Sequence, residues 1–200
     1  MDTMLAILVG LGLAAACGFR VFVPLLVLAI AARSGHVGLA PSLAWIGTPG
    51  AIVAFGTATV LEVIAYKVPW LDHALDAIAS PAAVVAGAIV AASQLGTISP
   101  SGGGGHLLMW GAGIIAGGGA AGVVKASAVT TRAVSTVTTA GLGNPIFALG
   151  ETIAAGVSSV MMVVAPVAGT LLIIGIVYVL IRVLLKVRGA VVGRPALNAA

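Results

Sequence analysis

The sequence predicts an all-α membrane protein, a polytopic bundle of about six helices, and three observations predict it. Of the 200 residues, 60% are hydrophobic and only 7% charged, where a soluble domain carries about 25% charged residues. The mean hydropathy is +1.23. A surface so poor in charge does not stay dissolved in water, so the bilayer is the solvent. Third, the apolar segments are unbroken runs rich in Ala, Leu and Gly, not the ~10-residue stretches of alternating polarity that a membrane barrel needs. Helices of about 20 apolar residues satisfy their own backbone polar groups and are the remaining way to cross.

The first run covers residues 4–32, with Gly18, Arg20 and Pro24 in its middle. It is long enough to span with a break, and those residues predict a kink or an unwound turn. A looser stretch with Gly, Ser and two prolines fills residues 33–49. The second run, residues 50–66, ends at Lys67. From Pro69 onward, Trp70, Leu71, Ala74, Leu75 and Ile78 share one helical face and Asp72 and Asp76 another. That pattern predicts a short interfacial helix with an aromatic anchor and a solvated acidic face.

The third run, residues 81–98, ends at Ser99-Pro100-Ser101 and four glycines. The fourth, residues 107–124, continues into a Ser/Thr-rich segment to Thr139. Gly141-Leu142-Gly143-Asn144-Pro145 makes a polar break before the fifth run, residues 146–165. Pro166 separates this from the sixth, residues 167–181. A connection of about two residues is tight for two full spans, which leaves open that one of these runs is short or re-entrant. The expected organisation is one membrane domain, residues 1–186, and a short basic cytoplasmic tail, residues 187–200. Cys17 stands alone and predicts a small buried residue. Asp2 stands where a signal peptide needs a basic start, so neither cleavage nor lipidation at Cys17 is expected.

An even number of spans puts both termini on one side. Lys67, Lys125, Arg132 and the basic C-terminus fall together against Arg33, so both termini are expected in the cytoplasm, as for a bacterial inner-membrane protein. The formal charge of +4 does not indicate nucleic acid, because Arg182, Lys186, Arg188 and Arg194 cluster at a membrane edge and not on a soluble face. Two short echoes recur in the same order. Ala15 to Arg20 resembles Ala120 to Lys125, and Ile52 to Gly56 resembles Ile146 to Gly150. Matches this short also arise by chance in a small alphabet. A duplication predicts two inverted three-helix repeats, residues 5–98 and 107–181, with broken first helices.

Three motifs, Gly18-Phe19-Arg20, Pro69-Trp70-Leu71-Asp72 and Gly143-Asn144-Pro145, carry a resemblance over almost the whole chain. The sequence resembles the bacterial membrane family defined as domain of unknown function 4126. The resemblance implies an inner-membrane helical protein and supplies no catalytic or binding residues.

Ionisable groups within apolar runs are the main chemical signal, since a charge at a helix centre costs roughly 2.5–3.5 kcal/mol on insertion scales. Arg20, Glu62, Lys125, Arg132 and Glu151 are such groups. They are read as the wall of a solute or ion path, with Arg20 and Lys125 paired to Glu62 and Glu151. The structural alternative is a set of ion pairs that lock helices in register. Asn144 opens a helix whose N-terminal amides suit an anion, or is an ordinary helix start. The Ser/Thr segment lines a wet cavity or bonds back to helix carbonyls. Gly117 to Gly122 matches G-x-G-x-x-G but lacks the strand and distal acid of a dinucleotide site. Gly113, Gly117, Gly118 and Gly122 instead predict close helix packing. The scattered His36, His73 and His106 offer no metal spacing, and no nucleophile motif is present.

No enzyme activity, cofactor or metal is therefore expected. The expected function is passage of a small polar solute or ion by a transporter or channel. The alternative is a non-transporting scaffold or a lipid-interacting, scramblase-like protein. The expected partners are membrane lipid, a small polar solute or ion and, in a homo-oligomer, further copies of the chain.

Overall fold

The computed structural model describes residues 3–66, 72–98, 103–139 and 141–192, and every regular element among them is helical. In order these are α1 (Thr3–Cys17), α2 (Phe22–Arg33), a 3-10 segment (Pro41–Gly47), α3 (Pro49–Ala65), α4 (Asp72–Leu95), α5 (Gly103–Ala112), a π-helical stretch (Gly113–Gly118), α6 (Gly119–Thr139), α7 (Asn144–Val164) and α8 (Pro166–Val192). Leu75–Leu95, Gly103–Thr139 and Asn144–Val164 are long and apolar enough to cross a membrane. Pro41–Gly47 and Pro49–Ala65, bent by 62°, add a fourth if they count as one span. Thr3–Cys17, Phe22–Arg33 and Pro166–Arg182 are shorter apolar helices. All six apolar runs are thus helical.

The interior holds small and apolar residues with a minority of polar ones, and the surface is apolar. On α7 the inward stripe is Asn144, Ala148, Ala155, Ser158, Ser159 and Met162, and the outward one is Ile146, Leu149, Ile153, Val157, Val160 and Val164. In water such a helix would turn the other way round; in lipid the branched side chains meet hydrocarbon and the small polar ones pack. α1 lies at the centre, touching α4, α6, α7 and α8. It is apolar all round and enclosed over its second half, with Val9, Gly10, Gly12 and every residue from Leu13 to Cys17 buried.

Glycine sets how closely the backbones pass. A Cβ on Gly117 would lie 2.5 Å from the Gly87 carbonyl oxygen, and one on Gly113 would lie 2.9 Å from that of Ala88. Gly118 and Gly122 meet Val84 of the same helix. All four glycines therefore face α4, and three of them, Gly113, Gly117 and Gly118, belong to the π-helical stretch.

Two elements differ from expectation, and a third meets it. α4 runs unbroken through Pro81, so the expected interfacial helix and the third run are one helix. Its row of Ala83, Gly87 and Ala91 is buried, and packing of that row outweighs the missing amide of one internal proline. Residues 67–71, which include Lys67, Pro69 and Trp70, lie outside the described residues, as do the Ser99-Pro100-Ser101 turn and residues 193–200. Second, the break expected at Gly122–Lys125 is absent, because those residues lie inside continuous α6. Ser127, Thr130, Thr131, Thr136, Thr138 and Thr139 each bond the carbonyl four residues back, so these hydroxyls are satisfied inside a continuous α6. The correspondence required of an inverted repeat is lost at this point.

Third, α7 and α8 are joined by Ala165 alone. Gly169 sits where a Cβ would lie 2.8 Å from the Met162 amide nitrogen and 2.9 Å from the Met161 carbonyl carbon. In a straight helix those residues would be about 10–12 Å from Gly169. The chain therefore turns back sharply at Ala165, and Gly169 permits it.

Candidate functional site

The site begins with the interruption between α1 and α2. Pro24 falls in the first turn of α2 and cannot donate to a continuing helix, so the chain from Gly18 to Val21 unwinds. The amides of Val21 and Phe22 are left without helical acceptors. Glu62 of α3 receives both, at 3.0 Å and 3.2 Å, and its charge matches the positive end of α2. Gly18 brings this unwound segment onto α6. A Cβ there would lie 2.5 Å from the Ala121 carbonyl oxygen and 2.9 Å from the Lys125 amide nitrogen. That approach sets Arg20 beside the turn that carries Lys125.

The side chains converge on Tyr66, at the end of α3. The guanidinium carbons of Arg20 and Arg132 lie 4.0 Å and 4.6 Å from its ring centroid, and Lys125 Nζ lies 5.6 Å from it. Its hydroxyl donates to Asp76 Oδ1 at 2.9 Å and accepts from Lys125 Nζ at 3.2 Å. Lys125 also reaches Asp76 Oδ1 at 3.0 Å, and Arg132 reaches Asp76 Oδ2 at 3.1 Å. Arg132 then forks onto Glu151, Nε to Oε1 at 3.0 Å and the second nitrogen to Oε2. Arg20, Lys125 and Arg132 are at most 3% exposed. A tyrosine among three cations gains from cation–π attraction, about 2 kcal/mol for a desolvated contact, and its hydroxyl ties two of the charges together.

The arrangement brings together Arg20, Glu62, Lys125, Arg132 and Glu151, with different partners from those expected. Arg20 contacts no carboxylate among the described residues. It donates through Nε to Thr152 Oγ1 at 3.0 Å and through Nη2 to the Ala148 carbonyl at 2.7 Å. Glu62 is held by amides that have no other acceptor, and both oxygens of Glu151 are taken by the Arg132 fork. Lys125 pairs with Asp76 instead. Asn144 is buried and donates to Thr136 Oγ1 at 2.9 Å across the turn between α6 and α7, next to the Gly143 amide that donates to Thr139 Oγ1 at 3.0 Å. It ties that turn together.

Asp76, Tyr66 and Thr152 were not among the residues the sequence singled out. In the sequence Asp76 belongs to the expected solvated Asp72/Asp76 face. The signal that could have found it is the small-residue row of α4, since Asp76 lies seven residues before Ala83 and eleven before Gly87 on the same face. Tyr66 carries no such signal; only the fold brings three cations to it.

The family model for domain of unknown function 4126 (DUF4126) matches residues 7–186. The chain belongs to that family. No curated protein and no solved structure matches it. Every member of the cluster, from Arg20 to Thr152, lies within the matched region of this DUF4126 protein.

Cavities adjoin the cluster. One of about 250 Å³ is lined by Asp76, Ser80, Arg132, Thr136 and Asn144. A second, of about 70 Å³, lies among Arg20, Val63, Tyr66, Pro145, Ala148, Leu149 and Thr152. A third, of about 170 Å³ and mostly apolar, reaches Glu151 between α6, α7 and α8. The first presents a carboxylate, a guanidinium, hydroxyls and an amide to one space, which suits a hydrogen-bonding solute. Among the described residues of the DUF4126 chain, no three His, Cys, Asp or Glu side chains come together to hold a metal ion.

Proposed function

We propose that this DUF4126 protein moves a small polar solute or ion across the membrane, with the Tyr66-centred cluster as the point where the solute exchanges water for protein. One observation carries the reading: the buried charges of α1–α2, α4, α6 and α7 border the 250 Å³ cavity through Asp76 and Arg132, whereas helices need no such cavity merely to be locked together. Charged side chains within apolar helices mark solute paths by default, and an interrupted helix in the same place supplies free backbone groups. Both termini are cytoplasmic in this reading, in the inner membrane of a bacterium.

The test is a flux screen of the purified chain in proteoliposomes, covering neutral polar solutes, cations and anions. At least one class should cross faster than in protein-free vesicles, and Asp76→Asn should reduce that flux at least tenfold while the protein remains folded. No class moving above the protein-free rate overturns the proposal. The scaffold reading is favoured by a specific observation, the mutual pairing of Lys125, Arg132, Asp76 and Glu151, and it predicts a folded protein with no flux at all.

A further inference from the structure

We propose that the 70 Å³ cavity beside Arg20 is a binding site for a small, weakly hydrated monovalent anion, such as bromide or nitrate. The proposal deepens the transport reading by naming a substrate class, and rests on it only for the step from binding to passage. Its starting point is the guanidinium of Arg20. The side chain is 1% exposed, and two of its nitrogens are bonded to neutral acceptors, Thr152 Oγ1 and the Ala148 carbonyl. The third, Nη1, is buried and has no hydrogen-bond partner. A buried charged donor left without an acceptor costs more than an ordinary unmade hydrogen bond. Within this site Lys125 and Arg132 both contact carboxylates, and Arg20 does not.

The cavity explains what could complete it. Arg20 is the only charged group on its walls among the described residues; Tyr66 and Thr152 supply hydroxyls, and the rest is apolar. The carboxylates nearest in the fold are already engaged, Glu62 with the amides of Val21 and Phe22 and Glu151 with Arg132. The Tyr66 hydroxyl donates to Asp76, and that of Thr152 to the Ala148 carbonyl. The free donors on the walls therefore belong to Arg20, and an acceptor carrying negative charge is the matching ligand. The volume holds about two molecules the size of water, which suits a halide or nitrate better than a sugar or an amino acid. Walls of Val63, Ala148 and Leu149 cannot replace a tight hydration shell, so anions that shed water cheaply should bind best and fluoride worst.

The experiment uses the full chain in detergent and then in vesicles. Its melting temperature should be higher in sodium bromide or nitrate than in sodium gluconate at equal ionic strength, with fluoride resembling gluconate. Arg20→Gln should abolish the difference. Because that variant removes a buried charge and may not fold, Val63→Phe is the second arm: it fills the cavity from α3, leaves Arg20 in place and should at least halve the bromide shift. Anomalous scattering from bromide-soaked crystals should place the ion within hydrogen-bond distance of Arg20 Nη1. Equal melting in bromide and gluconate, or a bromide shift unaltered by Val63→Phe, overturns the proposal. Bromide bound beside Arg20 without anion flux sustains the site and counts against transport. Flux of a neutral solute with no bromide effect sustains transport and overturns the site.

Discussion

Arg132 is the residue on which the cluster depends most, because among the described residues it alone touches two carboxylates, Asp76 and Glu151. Arg132→Gln strips Glu151 of its cation and leaves Asp76 with Lys125 alone, and should cost about 3 kcal/mol, read as a lowered denaturation midpoint in detergent. If the variant melts with wild type, the ion pairs do not hold the bundle. Tyr66 separates two contributions. Tyr66→Phe removes the hydroxyl that joins Asp76 and Lys125 and keeps the ring beneath the guanidiniums, so about 1–2 kcal/mol should be lost. Tyr66→Leu removes the ring as well and should lose roughly 1–2 kcal/mol more. Equal losses in the two variants would exclude a cation–π contribution. At this scale the sequence shows which charges cannot stay in lipid, but not their partners. Arg20 looked bound for Glu62 or Glu151 until the interruption after α1 exposed two amides that claim the first, and Arg132 claimed the second.

Helix packing here is written in glycine, and its consequences are position-specific. Gly117→Val would put a Cβ 2.5 Å from the Gly87 carbonyl oxygen and should cost about 3 kcal/mol by driving the π-helical stretch off α4. Gly111→Ala, with no atom within 4 Å of the added methyl, should be neutral or stabilise by up to ~1 kcal/mol. Comparable melting of the two variants would show that the close approach carries no energy. The small-xxx-small spacing made the glycine face legible in the sequence, because it depends only on helical periodicity. The length of α4 was not legible. Pro69 and Pro81 both read as helix starts, and only the buried face running from Ala83 to Ala91 carries the helix backward through Pro81 to Asp72.

The whole molecule is a membrane-type helical bundle whose orientation can be tested directly. Lys125 and Arg132 lie buried in ion pairs, so they are not loop charges, and the orientation rests on Arg182, Lys186, Arg188 and Arg194 against Arg33. Reporter fusions at Ala200 should report cytoplasm and fusions between Gly102 and Gly105 the opposite side; a periplasmic signal at Ala200 would reverse the model. Composition by itself determined the helical membrane class, the six apolar runs, the interruption near Arg20 and the glycine faces, since each follows from local hydropathy, chain stiffness or a period of 3.6 residues. Only the tertiary structure decided that Asp76 joins the cluster, that Tyr66 is its centre and that Arg20 faces a cavity in place of a carboxylate. Partner choice among buried charges is a competition between groups far apart in sequence. Its outcome depends on distances of a few ångströms that no local pattern encodes.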